Sequence, residues 1–315
     1  MLVYIKPLST FPKLHSDKLF GAILSAISEI FDDEILTNLI NDFDNNPPFL
    51  ISSAFPAIKT KKGFKRFFPR IITNNNSKVI VNPDNFKKFK KVEYFEEDIF
   101  FDLINGKLSE DEILENYSKY TQIDNLFMHK NNEIEIEIKN TVRPNNAVNR
   151  LNNKTDIFYS EGIEYGKNIR LFFFIEIYDE KYESIIKSAL KFLKDRGFGK
   201  DISTGKGQFD YNIENVSISE LNILGNSSRF VTLSRFIPKE DEVKKLDEKS
   251  CYELGFKRSR DKNGKVRKQI RFFKEGSTFN CYCDSSYGHI VDVTENKSAF
   301  EYGYAFPLFF KHEGD

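Results

Sequence analysis

The amino-acid sequence predicts an α+β fold divided into two domains, and three observations lead to that prediction. A chain of 315 residues is long enough for two domains. Segments 17–31 and 180–196 place apolar residues on one helical face, whereas glutamate and isoleucine alternate at 133–139 as in a half-buried strand. Further strand-like runs surround these segments, so that helices and strands alternate along the chain.

The predicted first domain, residues 1–225, follows the order of a ferredoxin-like βαββαβ unit. Ser16 stands where it can cap the first helix. Residues 41–130 are less regular, which predicts a long, partly structured insertion. In chain order the predicted elements are a strand at 2–8, a helix at 17–31, strands at 133–139, 157–164 and 169–178, a helix at 180–196, and a loop that runs into a final strand.

The predicted second domain, residues 226–315, begins after the turn-forming pair Gly225-Asn226. Asn263-Gly264 stands between two strand-like arms, and this pair is the strongest short signal of a β-hairpin. The remaining strands of this domain are predicted at 230–238, 278–283, 288–293 and 300–309.

Charge is balanced over the whole chain but uneven along it. The 47 basic and 47 acidic residues give a formal net charge of zero, which excludes a uniformly polycationic protein. Residues 93–115 hold nine acids and one lysine, whereas residues 257–274 hold nine basic residues and one acid. A nucleic-acid surface must therefore be local, and the acidic segment could dock a basic partner.

The cysteines and carboxylates predict neither a metal nor a cofactor. Cys251, Cys281 and Cys283 form no disulfide framework and no four-ligand zinc pattern. The sequence has no run of about 18 apolar residues that could span a membrane, and its N-terminus lacks the pattern of a secretory leader. We therefore expect a cytoplasmic protein without a membrane partner.

A glycine- and lysine-rich loop follows the second long helix. Glycines let backbone N–H groups turn toward an anion, lysines supply charge, and hydroxyls donate to phosphate oxygens. It is not a Walker A loop, because five residues separate Gly199 from Gly205 and because the loop follows a helix. The sequence predicts a phosphate cradle, and a helix C-cap with a simple turn is the alternative. The candidate residues are Gly197, Gly199, Lys200, Ser203, Thr204, Gly205, Lys206 and Gly207.

Two further groups are candidate RNA contacts. His15 precedes the first helix, where it could act as a general acid or base in RNA cleavage or could simply pack at the helix start. The segment RPNNAVNR at 143–150 offers Arg143, Asn149 and Arg150 for phosphate and base-edge contacts, or forms a solvated hairpin loop.

Basic residues also alternate with phenylalanines in segments 59–70 and 257–274. This interleaving suits stacking on unpaired bases, and Lys257, Arg258 and Arg260 are the cations singled out. The alternative is a solvated face over an ordinary core, because the chain has 32 phenylalanines and no tryptophan.

Several sequence blocks together resemble the RAMP superfamily of CRISPR proteins and, more narrowly, the fourth subunit of the type III-A (Csm) effector complex. The resemblance spans nearly the whole chain, and the order and spacing of the blocks make it specific. The blocks are LHSDKLFGAI at 14–23, SSAFP at 52–56 with RFFPR after it, RPNNAVNRLNNKTDIFY at 143–159, GFGKDISTGKGQF at 197–209, EGSTF at 275–279, YGHIVDV at 287–293 and YGYAFPLFF at 302–310.

This resemblance implies two ferredoxin-like (RRM-like) domains that hold the 5′ repeat tag of the CRISPR RNA. It also implies a bridge between the large polymerase/cyclase-like subunit and the adjacent backbone RAMP subunit. His15, Ser16 and the glycine-rich loop would lie near the tag, and Arg143 and Arg150 would belong to a hairpin thumb that kinks the RNA. The loop departs from the family pattern at Lys200 and Lys206.

Three functions remain open from the sequence. The leading hypothesis is a non-catalytic subunit that anchors RNA. The alternative is a metal-independent RAMP endoribonuclease that processes repeat RNA with His15 as acid and base. The third is a protein–protein scaffold whose glycine-rich loop is only a turn.

Overall fold

The first two thirds of the chain form a mixed α+β layer structure around one large sheet, in which all strand pairs are antiparallel except one. The computed structural model describes residues 1–61, 63–73, 82–130, 136–148, 151–152, 154–199, 202–216, 228–260, 265–282, 286–294 and 299–310. The α+β class predicted from the sequence is confirmed.

Eleven strands precede residue 228 in the described part of the chain. They are β1 (Leu2–Pro7), β2 (Phe49–Ile51), β3 (Phe55–Thr60), β4 (Gly63–Pro69), β5 (Tyr94–Glu96), β6 (Tyr120–Ile123), β7 (Leu126–His129), β8 (Ile138–Val148), β9 (Thr155–Tyr165), β10 (Ile169–Ile177) and β11 (Phe209–Glu214). The main sheet has the order β11-β1-β10-β3-β4-β5-β7-β6, and β2 pairs with β10 beside β3. Strands β8 and β9 form a separate hairpin.

The helices of this part are α1 (Ser16–Ile30), α2 (Asp33–Asn45), α3 (Pro83–Phe89), α4 (Glu97–Ile104), α5 (Glu110–Glu115) and α6 (Glu183–Arg196), with 3₁₀ turns at Tyr117–Lys119, Glu180–Tyr182 and Ile202–Thr204. Helices α1 and α6 pack against each other. Their buried faces, including Phe20, Ile23, Ile186 and Leu190, join the core cluster that also contains Val3 and Phe173 of the sheet. The amphipathic spacing of apolar residues thus predicted both helices correctly.

Two details of the predicted first domain are wrong. Residue His15, not Ser16, is the N-cap of α1, and Ser16 is its first helical residue. Residues 49–60 do not belong to an insertion, because β2 and β3 both pair with β10 inside the main sheet. Their side chains are almost all buried on both faces, so the alternation that marks a half-buried strand is missing from the sequence.

The last third of the chain consists mainly of short strands. They are β12 (Arg229–Thr232), β13 (Leu254–Lys257), β14 (Ile270–Phe273), β15 (Thr278–Asn280), β16 (Val291–Asp292), β17 (Phe300–Glu301) and β18 (Pro307–Phe310), with one short helix α7 (Glu240–Val243) in the described residues. Strands β15, β12 and β18 form one sheet, and β13 pairs with β14 as predicted for the basic hairpin. The turn residues Asn263-Gly264 lie outside the described residues, as does the predicted boundary near 225.

The prediction of a second ferredoxin-like domain is not confirmed. A βαββαβ unit has two helices that cover a sheet, whereas α7 is four residues long. The last third is instead anchored on the first part of the chain. The hydroxyl of Tyr302 accepts a hydrogen bond from the backbone N–H of Ile51 at 2.9 Å, and the hydroxyl of Tyr304 donates to the backbone oxygen of Phe43 at 2.5 Å.

Candidate nucleic-acid interface

The glycine-rich loop is closed at its base by backbone hydrogen bonds. Gly197 ends α6 with a positive φ of 95°, and its N–H donates to the Leu193 oxygen at 2.7 Å. The N–H of Phe198 donates to the Gly207 oxygen at 2.9 Å, and the N–H of Gly207 donates to the Thr10 oxygen at 2.9 Å. Gly197 is therefore a helix C-cap, as in the alternative interpretation, and backbone hydrogen bonds clamp the base of the loop; the phosphate cradle stays a prediction.

The buried ring of Phe198 fixes the base of the loop in the core. It packs edge-on against Phe11 and obliquely against Phe209, with ring centroids 5.7 and 4.9 Å away. Gly207 has a φ of 73°, and a Cβ atom there would lie 1.8 Å from the Phe198 oxygen. Only glycine fits at this position, because both the left-handed backbone and the contact exclude a side chain.

The tip of the loop is open to solvent. Ser203, Thr204 and Gly205 are exposed, and the N–H of Gly205 donates to the Ile202 oxygen at 2.9 Å. The ammonium of Lys206 donates to the hydroxyl of Ser160 on β9. Gly199 also has a positive φ, and the nearest atom to a Cβ built there would be in the ring of Pro12, 4.0 Å away. Lys200 lies outside the described residues.

The β8–β9 hairpin stands beside this loop. Its strands pair over eleven residues from Ile138–Tyr165 to Val148–Thr155. Residues 143–148 are therefore strand, so the alternative of a solvated hairpin loop at 143–150 does not hold for them. Proline usually interrupts strands, but a two-stranded hairpin consists of edge strands, which tolerate Pro144. Asn149 and Arg150 lie outside the described residues.

The hairpin carries a run of exposed apolar side chains. Leu151, near its tip, is 98% exposed, and Tyr159 is 70% exposed. The remaining members are Val142, Val148, Ile157 and Phe158. Exposed aromatic and aliphatic side chains on a solvated arm are typical of a contact surface.

Thr10 joins the hairpin to the loop. Its backbone oxygen accepts from Gly207, and its hydroxyl donates to Glu164 of β9 at 3.3 Å. Glu164 also accepts from the guanidinium of Arg143 at 2.6 Å. A Cβ atom at Gly162 would lie 2.3 Å from the Thr10 methyl group, so the hairpin backbone approaches Thr10 closely. Nothing in the sequence pattern had singled out Thr10.

His15 lies in a buried polar cluster that joins distant parts of the chain. Its Nδ1 atom is 2.8 Å from Oε1 of Glu275. The hydroxyl of Ser53 donates to the same carboxylate oxygen at 2.5 Å and accepts the N–H of Ser16, the first residue of α1, at 2.9 Å. The hydroxyl of Ser16 accepts the backbone N–H of Arg235 at 3.0 Å. The cluster thus gives the backbone N–H at the start of α1 a hydrogen-bond partner on a second segment, Ser53. Through the Ser16 hydroxyl it also links α1 to a third segment at Arg235.

Glu275 is the electrostatic centre of this cluster. Its side chain is only 13% exposed. Burial raises the pKa of a carboxyl group, but the hydrogen bond and charge of His15, together with the charge of Arg235, outweigh burial and hold the pKa of Glu275 at about 2. The carboxylate therefore stays ionised in the folded protein.

Asp17 forms a second buried centre next to the first. Its carboxylate accepts from Arg235 at 3.0 Å and from Lys257 at 2.7 Å, and Lys257 also donates to Glu301 at 2.7 Å. Burial raises the pKa of Asp17, but the charges of Arg235 and Lys257 outweigh it, so that the pKa lies below its usual value. The ammonium of Lys257 is therefore held by two carboxylates at a partly buried position, whereas Arg258 and Arg260 are exposed.

A cleft of about 790 Å³ opens above the cluster. His15, Ser53, Arg235 and Glu275 line it, together with residues from both parts of the chain. The first part contributes Arg70, Lys90 and Tyr94, among others, and the last third contributes Leu254, Phe256 and Phe272. The sequence interpretation missed Ser53, Arg235 and Glu275 as site residues. The only signal was the presence of Ser53 and Glu275 in the quoted blocks SSAFP and EGSTF.

Most of the candidates in the described residues fall into two neighbouring groups, and Arg258 and Arg260 belong to neither. The loop residues and Arg143 of the hairpin meet around Thr10, whereas His15, Ser16 and Lys257 meet in the buried polar clusters. In the described ranges, no group of three or more His, Cys, Asp and Glu side chains is arranged to hold a metal. No helix within those ranges is long and apolar enough to cross a membrane.

Comparison with known proteins identifies the family. The model of the RAMP superfamily matches residues 4–210, more than half of the chain, and the model of the CRISPR Csm4 C-terminal domain matches residues 225–311. No curated protein sequence matches the chain.

Solved structures agree with these matches. A chain of the crystal structure of the Csm3-Csm4 subcomplex in the type III-A CRISPR-Cas interference complex is similar with a TM-score of 0.71 and 19% identity, and 99% of each chain is covered. Chains of the Csm1-Csm4 cassette in complex with cA4 and with AMPPNP are similar with TM-scores of 0.58 and 0.56, each at 19% identity over 98% of both chains. The protein belongs to the RAMP superfamily, and its last third is similar to the C-terminal domain of CRISPR Csm4.

Proposed function

We propose that this chain is a non-catalytic RNA-binding subunit of a type III-A CRISPR effector complex, and that it anchors the 5′ repeat tag of the CRISPR RNA. The central observation is the clamped glycine-rich loop beside the β8–β9 hairpin, since both meet at Thr10. A preformed loop with exposed hydroxyls suits phosphate contacts, and exposed aromatic side chains suit unpaired bases.

The proposed partners are the large polymerase/cyclase-like subunit and the adjacent backbone RAMP subunit. Support comes from the similar structures, whose descriptions pair Csm4 with Csm1 and with Csm3. We further propose that residues 1–225 and 226–315 are two domains, that the first of them is ferredoxin-like, and that the complex works in the cytoplasm. The strand order β11-β1-β10-β3 with two helices packed together supports this proposal for the first domain.

The endoribonuclease alternative is not favoured. The Nδ1 atom of His15 pairs with Glu275 in a partly buried cluster, and this contact joins the start of α1 to the last third of the chain. The Ser53 hydroxyl is directed to the carboxylate and not to the imidazole, so the cluster lacks the nucleophile–base contact of a catalytic triad.

Replacing Lys200 and Lys206 together with alanine tests the loop. We expect weaker binding of tag-containing RNA by the chain assembled with its partner subunits. If each lysine neutralises one phosphate, the slope of log affinity against log salt falls in magnitude by about 1.4. Titration of labelled RNA at several salt concentrations measures both quantities.

Two controls separate charge at the loop from other effects. Lys187→Ala with Lys191→Ala removes the same charge from α6 and is expected to leave the slope unchanged. Ser160→Ala removes the hydroxyl that Lys206 contacts but leaves the charge of Lys206 in place. This variant is expected to retain most of the RNA affinity. Unchanged affinity and slope in the double loop variant at low salt would show that the loop does not hold the RNA.

A further inference from the structure

The cleft above the His15 cluster has features that its structural role does not explain. Phe256 on β13 is 76% exposed and Leu254, two residues before it on the same face, is 58% exposed. The residue between them, Gly255, is covered by Phe272, since a Cβ atom there would lie 2.5 Å from that ring. Phe256 is thus an aromatic ring at the cleft that the core does not use.

The charges in the cleft are largely compensated inside it. Arg70 forms a two-point ion pair with Glu110 at 3.0 Å, and Arg235 lies between Asp17 and Glu275. At the rim, the ion pairs Lys13–Glu93 and Lys274–Glu253 join exposed side chains at 3.1 and 2.9 Å. Exposed pairs of this kind are weak and can exchange partners.

Lys90 differs from the other cations that line the cleft. Its ammonium lies 4.5 Å from the centroid of the Phe86 ring, and no carboxylate in the described residues forms an ion pair with it. Because the charges inside the cleft compensate each other, its interior does not attract a phosphate strongly. Its aromatic and aliphatic side chains suit an uncharged base instead, and the phosphate of that nucleotide can stay at the rim near Lys90 and Lys13. A volume of about 790 Å³ lies within the range of small-molecule sites, about 300–1,000 Å³.

The cleft also lies close to the glycine-rich loop along the chain. Pro12 is the nearest neighbour of a Cβ atom built on Gly199, and Lys13 and His15 line the cleft. Pro12 and His15 are three positions apart and so at most about 10 Å from each other. An RNA strand that leaves the loop would therefore reach the cleft within a short distance. We propose that the cleft binds one unpaired nucleotide of the RNA held by the loop, with its base stacked on Phe256 and its phosphate beside Lys90. This assignment rests on the proposed RNA-binding function.

A series of tag RNAs, each with a single abasic nucleotide, tests the proposal on the assembled complex. One position is expected to cost the wild-type complex about tenfold in affinity, which lies within the range for one base–aromatic stack. In the Phe256→Ala complex, an abasic nucleotide at that position should no longer lower the affinity. In the Phe256→Tyr complex, the loss of affinity should remain. Tyr178→Ala removes an exposed aromatic ring outside the cleft and should behave as the wild type.

Three outcomes would overturn the assignment. The first is that the wild-type complex binds RNA and that the Phe256→Ala complex loses the same affinity as the wild type with each abasic RNA. The cleft is then not a base site, although the RNA-binding function stands. If Phe256→Ala weakens assembly with a partner subunit and leaves RNA affinity unchanged, the cleft holds a protein side chain. If the wild-type complex binds none of the RNAs, the proposed function itself fails.

Discussion

Replacing Glu275 with glutamine is expected to lower the free energy of unfolding by about 3 kcal/mol at neutral pH. The folded pKa of about 2 lies well below the ordinary value of 4.5, and each unit of difference corresponds to about 1.4 kcal/mol. Glutamine keeps the shape of the side chain but removes the charge that His15 and Arg235 face. Denaturant titration of the wild type and the variant measures this difference.

The cost of this substitution should depend on pH in a defined direction. Because the folded pKa is depressed, the stabilisation from Glu275 is fully present above about pH 4.5 and is lost as the pH falls toward 2. The difference in unfolding free energy between wild type and Glu275→Gln should therefore fall to less than half of its neutral value near pH 3.

Glu253→Gln is the matched control, because Glu253 pairs with Lys274 at the exposed rim of the same cleft. It is expected to change the free energy of unfolding by less than about 1 kcal/mol. A cost of Glu275→Gln that is small, or that is equal at pH 6 and pH 3, would contradict the role assigned to the buried carboxylate.

Gly207→Ala is expected to reduce both stability and RNA affinity. The alanine Cβ atom would lie 1.8 Å from the Phe198 oxygen, and the residue would have to keep a φ of 73°. Left-handed backbone alone costs about 1–2 kcal/mol outside glycine, and the contact forces the clamped base of the loop to open. We expect a total loss above about 2 kcal/mol in the free energy of unfolding.

Gly205→Ala is the comparison that isolates the contact. Gly205 has a similar φ of 79°, but nothing lies within 4 Å of a Cβ atom there. Only the backbone cost of about 1–2 kcal/mol then remains. Equal losses in the two variants, measured by denaturant titration, would show that the contact between Gly207 and Phe198 does not hold the loop closed.

The elements that the sequence predicted best are those with local, periodic signals. Helices α1 and α6 appear within a few residues of their predicted bounds, because their apolar faces pack on the sheet and on each other. The glycine-rich loop was visible from composition, since positive φ values at Gly197 and Gly207 require glycine.

The parts that the sequence did not reveal depend on contacts between distant residues. His15 and Glu275 are 260 positions apart, and Asp17 and Arg235 are 218 positions apart. No local pattern identifies such partners, so His15 and Lys257 looked like free candidates for RNA. Strand β3 was missed for a related reason, because its pairing partner β10 lies more than 100 residues later.

Cross-link mapping of the assembled complex tests the central claim most directly. RNA that co-purifies with the chain would be irradiated in place, and the linked peptides and nucleotides would be identified. We predict that the co-purified RNA carries the 5′ repeat tag and that its tag nucleotides link to residues 197–207 and to the β8–β9 hairpin. Links from the tag only to other subunits, or a complex that contains no RNA, would contradict the account.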